Sequence, residues 1–370
     1  MKKQIAGVVL GLAACLVAAR TVPVSGADGD APSWNPRAAA AYLDQRAAWW
    51  TTWQGSERDH DTHCVSCHTT TPYVIARPAL RRLLKESEPS APERKIAEFV
   101  TRRVGMWKEV EPFYPDQLRG IPKTSESRGT EAILNALTIA SRDRAAGAPS
   151  DEGRRAFDNL WALQMKTGDL SGAWAWLNFH YEPWEAERSP FFGATLAAIA
   201  VASAPGNYAA TPEIQDRAKL LREYLRKGSS SQHLFNRLML LWASALWPDL
   251  LTPGEQGAIV DAARLAQQDD GGWSVASFAQ WKRVDNTQLD TRSDGYGTGL
   301  AAFALQAAGV PRTDPQVRRG LDWLVKHQDA ATGMWYAASL NKQRDPASDP
   351  GKFMSDAATA YAVLALTGAR

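Results

Sequence analysis

The sequence repeats one pattern, a pair of helices, along most of its length. Apolar residues recur at intervals of three and four, and alternating strand patterns are scarce. In each pair the first segment is amphipathic, whereas the second is rich in small residues and apolar nearly all round. A helix that is apolar all round must be enclosed, while an amphipathic helix faces water on one side. The pattern therefore predicts an all-α fold with buried and half-buried helices in alternation.

Six such pairs can be placed along the chain. The first helices are predicted near 37–53, 92–108, 151–165, 211–226, 253–267 and 313–327. The second helices are predicted near 70–85, 127–142, 190–204, 231–246, 295–309 and 354–368. Repeated helical hairpins of this length are typical of closed or superhelical arrays. We expect an α/α toroid, with six second helices in an inner ring and six first helices in an outer ring. An open superhelix is the alternative.

The N-terminus predicts a secretion signal. Lys2 and Lys3 precede an apolar run at 5–19, and a small-residue cleavage site lies at 25–27. We therefore assign residues 1–27 to a signal peptide and 28–370 to a single toroid domain. The expected location is periplasmic or extracellular. A lipobox ending at Cys15, which would anchor the protein to a membrane by a lipid, is the alternative.

Composition argues against nucleic-acid binding. Hydrophobic residues make up 45% of the chain and charged residues 22%, which is ordinary for a globular protein. The net charge is only +2. No basic block is interleaved with aromatic residues, as it is in proteins that read nucleic acids. We expect no nucleic-acid partner.

Three turns between helices carry a Gln-Gly-Trp pattern. It occurs at 268–273 and 328–335, and in a stretched form at 164–174. This pattern resembles the QW motifs of squalene-hopene cyclases and related terpenoid cyclases. In that family Gln caps helix ends and Trp stacks on it, which ties adjacent hairpins together. The resemblance covers roughly residues 150–370 and implies the same toroid.

The resemblance does not extend to the chemistry of that family. Hopene cyclases carry an acidic DxDD cluster that is absent here, and Asp285, Asp290 and Asp294 are spaced too widely to replace it. The zinc site of prenyltransferase relatives is absent too, because no cysteine follows Cys67. A fold does not bring its function with it. Cyclase activity is therefore not expected, and whether the chain is an enzyme is left open.

A Cys-x-x-Cys-His motif at Cys64, Cys67 and His68 predicts one covalently attached haem c. In such motifs the two thiols add to the haem vinyl groups and the imidazole binds the iron. Covalent attachment suits an exported protein. Three alternatives stay open: a zinc site completed by His60 or His63, a pair of redox thiols, and a purely structural motif.

The distal iron ligand would come from the same mouth of the toroid. His180 lies in a loop on that side, and Met354 opens the last inner helix beside the first. We expect one of these two residues, or an open iron position. An open position would favour peroxide or oxygen chemistry over simple electron transfer.

Other polar residues are predicted to line the same mouth. The candidate catalytic residues are Glu182, Asp290, Asp294 and Tyr296. Tyr181, Trp184, Glu185 and Asp356 are expected near them. Acidic residues at the start of a helix are also favoured by the helix dipole, so capping competes with a substrate role for the acidic residues.

Two functional hypotheses follow. The first is an exported haem redox protein that passes electrons to a partner protein or oxidises an apolar small molecule held in the toroid. The alternative is a cyclase-like or carbohydrate-active enzyme in which the Cys-x-x-Cys-His motif is structural, or a binding module of the cell envelope.

Overall fold

Twelve α-helices dominate the computed structural model, which describes residues 33–116 and 123–368. The outer helices are α1 Pro36–Trp50, α3 Ala91–Gly105, α5 Asp151–Ala162, α7 Gln215–Gly228, α9 Pro253–Leu265 and α11 Pro315–Lys326. The inner helices are α2 Thr70–Leu84, α4 Thr124–Ala146, α6 Ser189–Ser203, α8 Leu234–Leu246, α10 Gly295–Ala307 and α12 Phe353–Thr367. One short antiparallel hairpin, β1 Glu57–Arg58 with β2 Thr62–His63, precedes α2.

Local side-chain chemistry sets several helix starts. Ser90 and Thr252 begin α3 and α9 with capping boxes, in which Glu93 and Glu255 return a hydrogen bond to the cap. Asp314 caps α11 by accepting from two backbone N–H groups. Capping satisfies backbone donors that have no partner inside the helix. The predicted helix starts follow from this chemistry.

The inner helices form a closed ring. Each packs on the next in chain order, and α12 packs on both α10 and α2. In the outer ring, α1 contacts α3 and also lies against α12. The predicted α/α toroid of six hairpins is therefore confirmed, and an open superhelix is ruled out.

The three Gln-Gly-Trp turns join neighbouring hairpins. In each turn the Gln Nε2 donates to the carbonyl of the turn's own glycine and to a carbonyl at the start of another outer helix. The acceptors are Gly172 and Arg217 for Gln164, Gly271 and Gln316 for Gln267, and Gly333 and Asn35 for Gln328. In the fifth hairpin the glutamine is Gln267, one residue before the predicted Gln268.

The tryptophans of these turns bind back to the preceding outer helix. Trp174, Trp273 and Trp335 are fully buried. Each indole Nε1 donates to a carbonyl 2.7 Å away, on Leu160, Ala263 and Leu324 respectively. The turn therefore fixes its own helix through Trp and the next hairpin through Gln.

An aromatic stack fills the middle of the inner ring. Tyr296 and Tyr361 lie 5.4 Å apart between ring centroids, and the Trp184 Nε1 donates to the Tyr296 hydroxyl. Phe303 contacts Tyr361 from the other end at 6.3 Å. These four buried side chains, which we call the axial stack, leave one cavity at each end of the ring.

The predicted signal peptide and Cys15 lie outside the described residues. Among the residues that are described, no helix is both long and apolar enough to cross a membrane.

The sixth turn depends on a glycine at position 333. Gly333 has φ +80°, and a Cβ there would lie 2.4 Å from the carbonyl carbon of Ala38 in α1. Gly309 has φ +90° but open space around its Cβ position. We expect Gly309→Ala to lower the free energy of unfolding by about 1–2 kcal/mol through backbone strain alone. Gly333→Ala should cost about 1–3 kcal/mol more, because α1 is also pushed away.

Chemical denaturation of the two variants and the unmodified chain measures this difference. Equal losses for the two substitutions would contradict close packing between the sixth turn and α1.

Candidate functional site

A cavity of about 1030 Å³ lies at the end of the ring where the inner helices begin. We call it the upper cavity. Its wall is made by the end of α1 with the β1–β2 hairpin, by the segments at 111–115 and 179–185, and by the segment at 339–354. Long loops that precede inner helices thus supply most of the site, as is common for functional sites on a rigid scaffold.

Aromatic side chains form much of the cavity wall. Trp53 stacks on Trp49 at 5.1 Å between ring centroids, and Phe179 meets Tyr114 edge-on at 5.2 Å. The aromatic residues of the wall are Trp50, Trp53, Phe113, Tyr114, Phe179, Tyr181, Trp184 and Phe353. Flat apolar surfaces of this kind bind ligands that are apolar on one face.

Charged side chains share the same wall. They are Glu57, Arg58, Asp59, Glu111, Glu185 and Arg344. Asp59 is held in place, since it accepts from Arg103 Nη1 at 2.9 Å and from the Glu111 N–H at 2.7 Å. Burial acts to raise the pKa of Asp59, but these hydrogen bonds and one from His60 outweigh it and lower the pKa. Asp59 is thus an ionised, structural carboxylate.

Arg58 is positioned by the β1–β2 hairpin. Its Nη1 donates to the carbonyls of Gly55 and Glu57, and its guanidinium lies over the Tyr114 ring at 4.8 Å. Its Nε and Nη2 are buried and make no hydrogen bond to the described residues. Buried donors without partners are costly, so a ligand acceptor at this edge would be stabilised.

A tight turn presents Glu185 to the cavity. The Tyr181 N–H donates to the Glu185 carbonyl at 2.9 Å, and the Glu185 N–H donates to the Tyr181 carbonyl at 2.8 Å. Glu185 is half-buried and lies beside Trp184, which the axial stack anchors. The turn therefore brings Glu185 into the cavity wall together with the aromatic residues Tyr181 and Trp184.

His68 faces the cavity at the end of a buried hydrogen-bond chain. Its Nδ1 lies 2.8 Å from Thr69 Oγ1, and that hydroxyl donates to Asp356 Oδ2 at 2.7 Å. Asp356 also accepts from Arg46 Nε at 2.8 Å and from the Tyr42 hydroxyl at 2.8 Å. The arrangement joins the cavity to a fully enclosed ion pair between α1 and α12.

This chain selects one form of the imidazole. Thr69 has a single hydroxyl proton and donates it to Asp356, so Thr69 Oγ1 must accept from His68 Nδ1–H. Nε2 then carries the lone pair of a neutral ring. Burial, with the nearby charges of Arg46 and Arg344, lowers the pKa of His68 to about 3. At neutral pH His68 is a hydrogen-bond acceptor that carries no charge.

The predicted covalent haem is wrong. Cys64 and Cys67 lie in the hydrophobic core with 4% and 5% of their surface exposed, and burial raises the pKa of both thiols. Thioether bonds would need both sulfurs to reach a porphyrin in an open pocket. The His68 ring stacks on Phe353 at 3.8 Å and meets Trp50 at 5.0 Å. Two aromatic rings thus pack directly against the imidazole that the haem prediction assigned to the iron.

The motif instead starts an inner helix. Ser66 Oγ accepts from the backbone N–H groups of Thr69 and Thr70 at 3.1 Å each. Trp50 Nε1 donates to the Cys64 carbonyl at 2.7 Å. Both thiols are free. The predictions of electron transfer and of a cytochrome depended on covalent haem attachment, so they are wrong as well.

Metal binding by this segment is not supported either. Across residues 33–116 and 123–368, no group of three or more His, Cys, Asp and Glu is placed to hold a metal ion. The zinc alternative with His60 or His63 therefore has no support among these residues. His180 is exposed, and Met354 is buried in the cavity wall. Because the haem prediction is wrong, their predicted role as distal iron ligands is wrong too.

Two of the four predicted catalytic residues, Asp290 and Asp294, line one cavity together, and the other two lie elsewhere. Asp294 caps α10 by accepting from the N–H groups of Tyr296 and Gly297, and burial raises its pKa to about 7. Asp290 lines a smaller cavity of about 330 Å³ and pairs with Arg292 at 2.7 Å. Tyr296 lies in the axial stack. None of these three side chains lines the upper cavity.

Glu182 has the most unusual surroundings of the four. Burial raises its pKa to about 7, while Arg188 lowers it and Glu187 raises it. Its buried Oε2 makes no hydrogen bond within the described part of the chain. The side chain is not part of the upper-cavity wall, however. Its neighbours Tyr181, Trp184 and Glu185 are, as the sequence predicted for that loop.

Several cavity residues were not predicted from the sequence. Arg58, Tyr114, Phe179 and Arg344 come from four different segments of the wall and carry no motif. The one available signal was that aromatic residues cluster ahead of inner helices, as in the Pro-Phe-Tyr-Pro segment at 112–115.

The architecture defines an α/α toroid, and solved structures of glycosidases share it. The unsaturated glucuronyl hydrolase from Streptococcus agalactiae has a TM-score of 0.51 at 9% identity, over 95% of this chain and 98% of that chain. A glycosidase variant in complex with glucose has a TM-score of 0.50 at 12% identity, over 90% and 97%. A second glycosidase variant gives 0.50 at 13% identity, over 90% and 97%. At these identities the likeness shows the fold alone.

Comparison by sequence adds no relative. No protein-family model matches the chain, and a search of curated proteins finds no match. The suspected resemblance to the squalene-hopene cyclase family is wrong, because the similar solved structures are glycosidases. The Gln-Gly-Trp turns of this chain join neighbouring hairpins of a toroid, but their presence does not identify the cyclase family.

The hydrogen-bond chain makes a prediction about His68. We expect a neutral Nδ1–H ring that does not titrate until the pH approaches 3, and a loss of that tautomer preference in Thr69→Val. Because the unfolded imidazole takes up its proton near pH 6.5, the unfolded state binds more protons below that pH. This group therefore lowers stability as the pH falls from about 6.5 towards 3.

Nitrogen-15 NMR of histidine-labelled protein distinguishes the tautomers directly. A His68 ring that is protonated at pH 5, or a tautomer unchanged by Thr69→Val, would contradict the assignment.

Proposed function

We propose that this protein cleaves glycosidic bonds in a saccharide bound in the upper cavity. The observation that carries the proposal is that stacking aromatics and several carboxylates line one cavity of about 1030 Å³. The cavity is of a size that holds more than one sugar ring. Aromatic rings can bind the sugar, and carboxylates can act on the glycosidic bond, so the cavity offers groups for both binding and cleavage.

Aromatic rings would bind the sugar by its apolar faces. A pyranose presents C–H groups on its faces and hydroxyls on its rim. Trp53 is half-exposed at the wall and is supported by Trp49, while Phe179 is supported by Tyr114. Supported rings lose little conformational freedom when a ligand binds. We assign the two rings to two sugar-binding positions.

Carboxylates would supply the chemistry. Glycosidases use two carboxyl groups: one donates a proton to the leaving oxygen, and the other acts on the anomeric carbon directly or through a water. The glycosidic C–O bond breaks, water adds, and a hemiacetal and a free hydroxyl result. We assign Glu185 as one of the pair, because it lines the upper cavity together with Tyr181 and Trp184 of the same turn. Glu57 and Glu111 are the candidates for the other.

Neutral and cationic groups would orient the sugar. The His68 Nε2 lone pair can accept from a sugar hydroxyl, and its neutral state persists over the working pH range. Two donor nitrogens of Arg58 have no partner within the described part of the chain, and Arg344 adds a second positive charge to the wall. These donors suit hydroxyl or carboxylate oxygens of a saccharide.

The structural neighbours give independent support to this class of reaction. One is named as an unsaturated glucuronyl hydrolase and another as a glycosidase in complex with glucose. The proposed substrate is outside the cytoplasm, in keeping with the predicted signal peptide at 1–27. Export, and attachment through Cys15 as its alternative form, are part of the proposal.

A panel of oligosaccharides and fluorogenic glycosides tests the function. We expect release of new reducing ends from at least one glycan, together with saturable binding by calorimetry. Binding without cleavage would favour the binding-module alternative. Neither binding nor cleavage across neutral and acidic glycans would refute the proposal.

Glu185→Gln tests the assigned carboxylate. Loss of proton transfer or nucleophilic action should lower kcat by about 100-fold or more, because such groups contribute 10²–10⁴-fold. Glu187→Gln is the matched control, since Glu187 is exposed and does not line the cavity. Full activity in Glu185→Gln would remove Glu185 from the mechanism.

Trp53→Ala tests the stacking position. We expect KM for an oligosaccharide to rise about tenfold with little change in kcat, since uniform binding is lost. Trp53→Phe keeps an aromatic face and should restore most of the affinity. An unchanged KM in both variants would place the sugar elsewhere in the cavity.

A further inference from the structure

A second cavity, of about 500 Å³, lies at the opposite end of the inner ring. We call it the lower cavity. All six inner helices contribute to its wall, mostly near their C-terminal ends, so it lies on the axis of the toroid. Its apolar wall consists of Ile75, Leu137, Ile199, Trp242, Phe303 and Leu364, one from each inner helix.

The axial stack separates this cavity from the upper one. Phe303 lines the lower cavity, while Trp184 lines the upper cavity. Tyr361 and Tyr296 lie between them in continuous ring contact. All four side chains are buried. A ligand in the lower cavity would therefore bind independently of a saccharide in the upper one.

A proline in α2 helps to keep this wall apolar. Pro78 has no N–H, so the Val74 carbonyl lacks its usual helical partner. Ser141 Oγ of α4 donates to that carbonyl at 2.9 Å. Pro78, Ser141 and Ala145 also line a neighbouring cavity of about 400 Å³. The Ser141 hydroxyl is thus already used. Ser203 is the other seryl residue of the lining, and the wall between the polar residues is apolar.

The charges of the lower cavity are of one sign. Arg82 and Arg144 belong to its lining, and no carboxylate of residues 33–116 or 123–368 does. Both arginines are exposed, which places them at the rim. Arg82 makes no ion pair with any residue of the described ranges. An apolar interior with a cationic rim is complementary to a ligand that has one apolar tail and one negative head.

We propose that the lower cavity binds the anion of a single-chain fatty acid. Its alkyl chain would lie against the apolar wall, and its carboxylate would lie at Arg82 and Arg144. Each buried methylene would stabilise the complex, and the charged hydrogen bonds would fix the head. A sugar is disfavoured because few side-chain hydrogen-bonding groups line the wall. The proposal does not depend on the glycosidase function.

Calorimetry with sodium dodecanoate below its micellar concentration tests the proposal, with 1-dodecanol as the uncharged probe. We expect one dodecanoate per full chain. Arg82→Gln should weaken dodecanoate about tenfold and leave dodecanol unchanged. Arg226→Gln, an exposed arginine on α7, is the matched control and should change neither affinity.

A blocking variant makes the location testable. Ser203 ends α6 at the cavity lining, so Ser203→Phe should abolish binding of both probes, with circular dichroism and Tm reporting that the toroid is intact. Glu185→Gln should bind dodecanoate as the unmodified chain does. No binding of dodecanoate, or binding that survives both Arg82→Gln and Ser203→Phe, would overturn the proposal.

Discussion

The Gln-Gly-Trp turn is the interaction on which the whole toroid depends. Each turn holds its own helix through a buried Trp and the next hairpin through a Gln amide. At the sixth hairpin the same contact reaches Asn35 at the start of α1, across a sequence separation of 293. The same turn that joins successive hairpins along the chain therefore also joins the last hairpin to the first and closes the ring. Gly333 makes this closure tight, because only a residue without Cβ lets α1 approach.

Closure gives the ring two unlike ends. Every inner helix starts at the upper end, so the long loops between paired helices collect there and carry most of the charged and aromatic side chains. The connections at the lower end are short, as between α2 and α3 or α4 and α5. Few polar groups can be placed by such connections. The chemistry is thus concentrated at the upper cavity, and the lower cavity is apolar with a cationic rim.

The Cys-x-x-Cys-His segment illustrates how surroundings decide the role of a motif. Its spacing fits haem attachment, yet both thiols point into the core and His68 is enclosed by Phe353 and Trp50. The same His68 gains a different role from residues far away in sequence. Thr69 and Asp356 fix its tautomer, and Arg46 of α1 holds Asp356 in place.

The sequence alone determined the all-α class and the six hairpins, because helical periodicity and turn residues are local signals. It favoured a closed ring but left an open superhelix as the alternative, which the packing of α12 on α2 decided. It also pointed to the loop that contains Tyr181, Trp184 and Glu185. It could not identify Arg58, Tyr114 or Arg344 as partners of that loop, since they are brought together only when the ring closes. Whether an acidic residue caps a helix away from the upper cavity, as Asp294 does, or lines the upper cavity, as Glu185 does, depends on side-chain direction after packing. Tertiary structure alone decides that direction, because it sets which side chains are buried and which line open space.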